Sequence, residues 1–89
     1  MSITDEAQAI VNGERRQDYG DMAESFERIA GFWSAYLGKH VDSLDVAKMM
    51  ILLKVSRLKH NPLHYDSLRD IIGYAICCDN LINEQKMEK

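Results

Sequence analysis

The chain has 89 residues, 46% of them hydrophobic and 28% charged, with a formal net charge of −3 and a single proline. That length and even composition fit one domain, residues 1–89, without a linker, and the acidic balance makes a nucleic-acid phosphate binder unlikely, because that role relies on a broad basic surface. No run reaches the roughly 18 apolar residues of a membrane span, and "MSITDEAQAI" begins acidic where a secretory leader begins basic, so no membrane association and a cytoplasmic location are expected.

Apolar periodicity divides the chain into four predicted helices. Residues 4–17 place Ala7, Ile10 and Val11 on one face, and residues 21–37 repeat Met22, Phe26, Ile29, Ala30, Trp33 and Leu37 at helical spacing. Residues 43–60 contain "VAKMMILLKV", apolar on nearly every side, which demands a central or interfacial position. Residues 66–85 place Leu68, Ile71, Ala75, Cys78 and Ile82 on one stripe. Breaks fall at "DYGD", "GKHVDS" and "HNPLHYDS", where Gly20 and Gly38 can adopt positive φ and Pro62 forbids helix continuation. The fold class is therefore all-α, a compact four-helix bundle-like domain. A core of this size is marginal alone, so a homo-oligomer is expected. Adjacent Cys77 and Cys78 suit neither a disulfide framework nor separated zinc ligands and read as reduced packing residues.

The segment "NGERRQDYGDMAESFER" is too rich in charge to be only a turn. Gly20 can end the first helix, and Asp21 can cap the second with Glu24 at capping-box spacing. Glu27, Arg15, Arg16, Asp18 and Tyr19 remain to be explained. Glu24 and Glu27 project about 60° apart around a helix, so both can address one cation, and Gly31 and Ser34 further along that face would let another helix approach. On the fourth helix Asp66, Asp70 and Tyr74 recur at i, i+4 and i+8; capping by Asp66 or Ser67 is the plainer reading, with Ser67 and Asp70 at box spacing. Lys54 lies on the apolar stripe Ala47, Met50, Ile51, Leu58, where an ammonium needs an acid or a phosphate, and Arg57 follows three residues later. His60 and His64 are separated by Pro62 and make a poor metal pair, and His40 reads as loop surface.

The blocks "GERRQDYGDMAESFERIAGFW", "DVAKMMILLKVSRL" and "DSLRDIIGYA" resemble an uncharacterised family of small phage and prophage proteins with an E-R-x-x-D-Y-G signature, over roughly residues 10–80. More distantly, the layout resembles the all-α nucleoside triphosphate pyrophosphatases of the MazG-like superfamily. That second resemblance implies a magnesium-dependent hydrolase with Glu24, Glu27 and Asp70, and Asp66 as a substitute, as metal ligands. The pattern departs where a doubled acid is reduced to Asp21 and where Ser67 stands in place of a Glu, so nucleotide binding is expected to survive more readily than hydrolysis.

The implied chemistry is coherent. Magnesium is often held by one or two carboxylates together with substrate phosphates and generates a metal-bound water nucleophile. Lys54, Arg57, Arg15 and Arg16 would face phosphate, and Asp18, Tyr19, Trp33 and Tyr74 would line the pocket. No Gly-rich Walker loop is present, which excludes P-loop chemistry. Two other classes fit the same residues: a non-catalytic protein that sequesters a nucleotide, and a helical interaction module that docks a host protein through its third helix. For a phage-encoded chain, the cytoplasm would be that of the bacterial host.

Overall fold

The computed structural model describes residues 2–13 and 22–87, the side chains of 85–87 excepted. It is all-α, with helices α1 (Ile3–Asn12), α2 (Met22–Leu37), α3 (Ser43–His60) and α4 (Tyr65–Met87), and no strand among the described residues.

Each helix start has its own chemistry. Ser2 caps α1: its Oγ accepts the Asp5 N–H at 3.2 Å, while the Asp5 carboxylate accepts the Ser2 N–H at 3.4 Å. Asp42 caps α3 in the same reciprocal manner with Asp45, at 2.8 and 3.1 Å. At α4 the sequence suggests Asp66 or Ser67 as the cap, but the structure assigns the role to His64. Its Nδ1 accepts the Ser67 backbone N–H at 3.3 Å and lies 2.7 Å from the Ser67 hydroxyl, which is buried at 1% exposure. Ser67 is thus the third helical residue, and the expected Ser67–Asp70 box does not form because Asp70 points elsewhere.

The helix ends are equally local. Gly38 takes φ 69° and donates its N–H to the Ser34 carbonyl at 2.9 Å, the left-handed cap expected of it. Ser34 then bridges the connection, donating from Oγ to the Val41 carbonyl at 3.1 Å and accepting the Val41 N–H at 2.8 Å. Within the chain it therefore pins a loop, whereas it was expected to open a path for another helix. A Cβ at Gly31 would meet nothing within 4 Å. The first helix ends at Asn12, well short of residue 17. Gly13 leaves helical geometry and donates to the Ala9 carbonyl at 2.9 Å, so close that a Cβ there would stand 2.8 Å from the same oxygen. Residues 14–17, and with them the expected role of Gly20, lie outside the described residues.

Helix α3 packs on α4 and on α2, and α4 packs on α1. The core unites Phe26 and Ala30 of α2, Val41 of the connection, Val46 and Ala47 of α3, and Tyr74, Cys77 and Leu81 of α4. The Phe26 and Tyr74 rings, tilted with centroids 6.2 Å apart, join α2 to α4. On α4 the buried line is Ser67, Tyr74, Cys77 and Leu81, so the expected stripe was misplaced: Leu68 is 43% exposed and Ile82 40%. Apolar residues ring this helix, and which side faces inward is decided by its partners, including one charge.

Candidate functional site

That charge is Asp70. One turn after Ser67 on α4, it meets Lys54 from the inward face of α3, with Nζ 3.1 Å from Oδ2 and side-chain exposures of 12% and 14%. The lysine stem lies among the apolar residues of its stripe, and the head finds the acid that burial requires. Arg69 extends the cluster. Its Nε lies 3.7 Å from Asp70 Oδ1 and its Nη1 3.5 Å from Asp66 Oδ1, one helical turn back. The longer of these contacts exceeds hydrogen-bond reach, and Arg69 Nε is buried without a hydrogen-bond partner among the described residues.

The result is an alternating line, Lys54, Asp70, Arg69, Asp66, running from nearly buried to open: Asp66 is 61% exposed. Asp70 serves two cations, so its charge is spent within the chain, and Arg69 joins it to the open Asp66. Arg57, next along α3, is exposed and makes no ion pair among the described residues.

The other anticipated residues fall differently. Glu24 and Glu27 are exposed on α2, and among the described residues no three His, Cys, Asp or Glu side chains converge as a metal site. The structure therefore brings Lys54 and Asp70 together but does not assemble Glu24, Glu27 and Asp70 into a ready cation cage. Tyr74, expected to line a pocket, is 6% exposed in the core beside Phe26, and Trp33 is half-buried against that core. Arg15, Arg16, Asp18 and Tyr19 lie outside the described residues.

Two participants were missed from sequence. Arg69 had a signal in its i, i+3 spacing from Asp66, which places opposite charges on adjoining turns. Tyr65 had none: its hydroxyl donates to Glu6 of α1, tying the first turn of α4 to a helix 59 residues earlier. Cys77 is buried and Cys78 lies at the core edge, where burial pushes the Cys78 thiol up and nearby Lys48 partly offsets the effect. No described helix is long and apolar enough to cross a membrane.

An all-helical domain with a charged seam between α3 and α4 is what the fold and the site define. The chain belongs to the family described as Domain of unknown function (DUF6378), which matches residues 2–82. Its relatives include the Gene 55 protein of Mycobacterium phage L5, 53% identical over 76 residues that cover 84% of this chain and 49% of that protein. The Gene 55 protein of Mycobacterium phage D29 is 43% identical over 83 residues, covering 93% of this chain and 55% of that protein. The expected phage protein family is thereby met, and the chain spans about half the length of these curated relatives. No solved structure matches.

Proposed function

We propose that this phage-type domain binds a nucleotide or another phosphorylated small molecule at the open end of the seam between α3 and α4. The observation that carries the reading is the Lys54–Asp70 pair at 3.1 Å, nearly buried and joined to Arg69. Ion pairs withdrawn from water add little stability over apolar residues of the same size, so the fold alone does not account for this one. Lys54 and Arg57 of α3 and Arg69 of α4 supply three cations, and guanidinium groups suit phosphate oxygens.

Magnesium fits as a companion of the phosphate through the open Asp66, since this ion is often held by one or two carboxylates together with phosphate oxygens. A magnesium-dependent, MazG-like pyrophosphohydrolase is the catalytic form of the same reading and rests on the sequence resemblance; Glu24 and Glu27 are the further acids it would need. The magnesium ion would activate water in that reaction, and the role of this chain's cations is to orient and neutralise the phosphate.

Thermal melts against nucleoside mono-, di- and triphosphates, each with and without magnesium, test the reading, with pyrophosphate release as the assay for turnover. Stabilisation that grows with phosphate count and is lost in Arg69→Met supports binding. A melting temperature indifferent to every nucleotide and to magnesium would remove the proposal. The second reading, a helical module docking a protein, is favoured by one observation: Met49, Leu52, Leu53 and Val55 of α3 are 39–66% exposed.

A further inference from the structure

The outer face of α3 points to a partner, and its chemistry identifies which. Met49, Leu52, Leu53 and Ser56 follow at i, i+3, i+4 and i+7, the spacing of a helix-pairing seam, and all four are exposed while Ala47, on the opposite side of the helix, is fully buried.

Charge fixes the arrangement. The seam is centred between Leu52 and Leu53. Asp42 and Asp45 stand at the start of the helix, and Arg57, Lys59 and His60 at its end. Around the helix, Asp45 lies within about 30° of the seam centre, and Lys59 and His60 flank it on either side. A twofold axis through the centre of the seam pairs Leu52 with Leu53 of a second copy and sets residue 45 opposite residue 60, each about 11 Å from the axis along the helix. The acidic start of one α3 then lies against the basic end of the other, with the helix dipoles opposed; a parallel pairing would place acid on acid. We propose that the chain forms a twofold homodimer in which α3 pairs antiparallel with α3 of a second copy. This goes beyond the nucleotide reading and does not depend on it.

Light scattering and sedimentation equilibrium of the ligand-free chain at tens of micromolar test the dimer. The expected mass is about twice 10.2 kDa. Leu52→Glu should weaken association by at least about tenfold while leaving the helical circular dichroism unchanged, because residue 52 is 66% exposed in the single chain. Lys59→Glu should weaken the dimer in low salt and lose that effect in high salt, the signature of opposed charges across the axis. A wild-type mass other than a dimer's would overturn the proposal, and a monomer would leave this face to a different protein. A dimer indifferent to Leu52→Glu would move the contact elsewhere, with exposed Phe32 and Tyr36 of α2 the next place to look. A dimer as stable in Lys59→Glu as in the wild type at low salt would overturn the antiparallel arrangement.

Discussion

Lys54→Met keeps the length and apolar stem of the lysine and removes only its charge, but the structure shows that this charge has a partner. Without it, Asp70 at 14% exposure retains only Arg69, whose nearest nitrogen is 3.7 Å away. Breaking a fully buried pair costs about 3–5 kcal/mol. With some exposure and a second cation remaining, about 1.5–3 kcal/mol is expected here. For a domain of this length 1 kcal/mol moves the melting temperature by about 5 °C, so the single variant should melt about 8–15 °C lower. Lys54→Met/Asp70→Leu removes both charges and should recover to within about 1 kcal/mol of the wild type. Urea and thermal melts of the wild type, both single variants and the double, at one protein concentration, give the coupling directly. If Lys54→Met alone were as stable as the wild type, or the double variant as damaged as the singles combined, the pair would carry no coupling and the account of the seam would fail. The same double variant separates roles: a sound fold that no longer responds to nucleotide assigns the charges to binding.

Two glycines predict opposite signs. Gly13→Ala brings a Cβ to 2.8 Å from the Ala9 carbonyl oxygen and should lower the melting temperature, whereas Gly31→Ala projects into open space within α2 and should add up to about 1 kcal/mol through helix propensity. His64→Ala should cost about 1 kcal/mol in chemical denaturation, and His64→Asp, which keeps an acceptor for the Ser67 N–H and adds a favourable charge at the helix start, should recover most of it. Burial holds the Cys78 thiol above its ordinary value, so less thiolate forms near neutrality; iodoacetamide labelling should be slow there, rise only in alkaline buffer, and reach the rate of a free thiol in denaturant. Fast labelling of native protein at neutral pH would contradict that placement.

How far the sequence discloses the fold depends on which residues carry information locally. Helix α3 was legible to both ends, residues 43–60, because the break at "GKHVDS" precedes one end and Pro62 follows the other. Gly38 was legible for the same reason. Gly13 was not, since a glycine inside an apolar period reads as a tolerated blemish until the Ala9 carbonyl is seen beside it. The inward side of α4 was misjudged because periodicity scores Leu68 and Ile82 above Asp70. Only the position of Lys54 on another helix reveals why an acid belongs on the buried line. The lysine stood out as a charge on an apolar stripe that must meet an acid or a phosphate, but the sequence did not say which acid, and the structure supplies Asp70. Arg69 escaped because an exposed ion pair and a half-buried one have the same spacing in sequence.

The ambiguity of α3 has one physical origin. A helix apolar on nearly all sides cannot say which side is inner, and here both sides are used. Lys54 and the seam of Met49, Leu52, Leu53 and Ser56 lie about 150° apart around the axis, so the charged site faces α4 while the leucines face away. Perturbations of the two faces should therefore be separable. Leu52→Glu acts on a surface that the ion pair does not touch, and Lys54→Met/Asp70→Leu leaves the outer leucines in place. If the leucine variant abolished nucleotide response while the Lys54–Asp70 pair stayed intact, the site would require the second copy. If each variant affected only its own readout, one helix would be doing two unrelated jobs with opposite faces, which is sufficient reason for a sequence to keep both apolar.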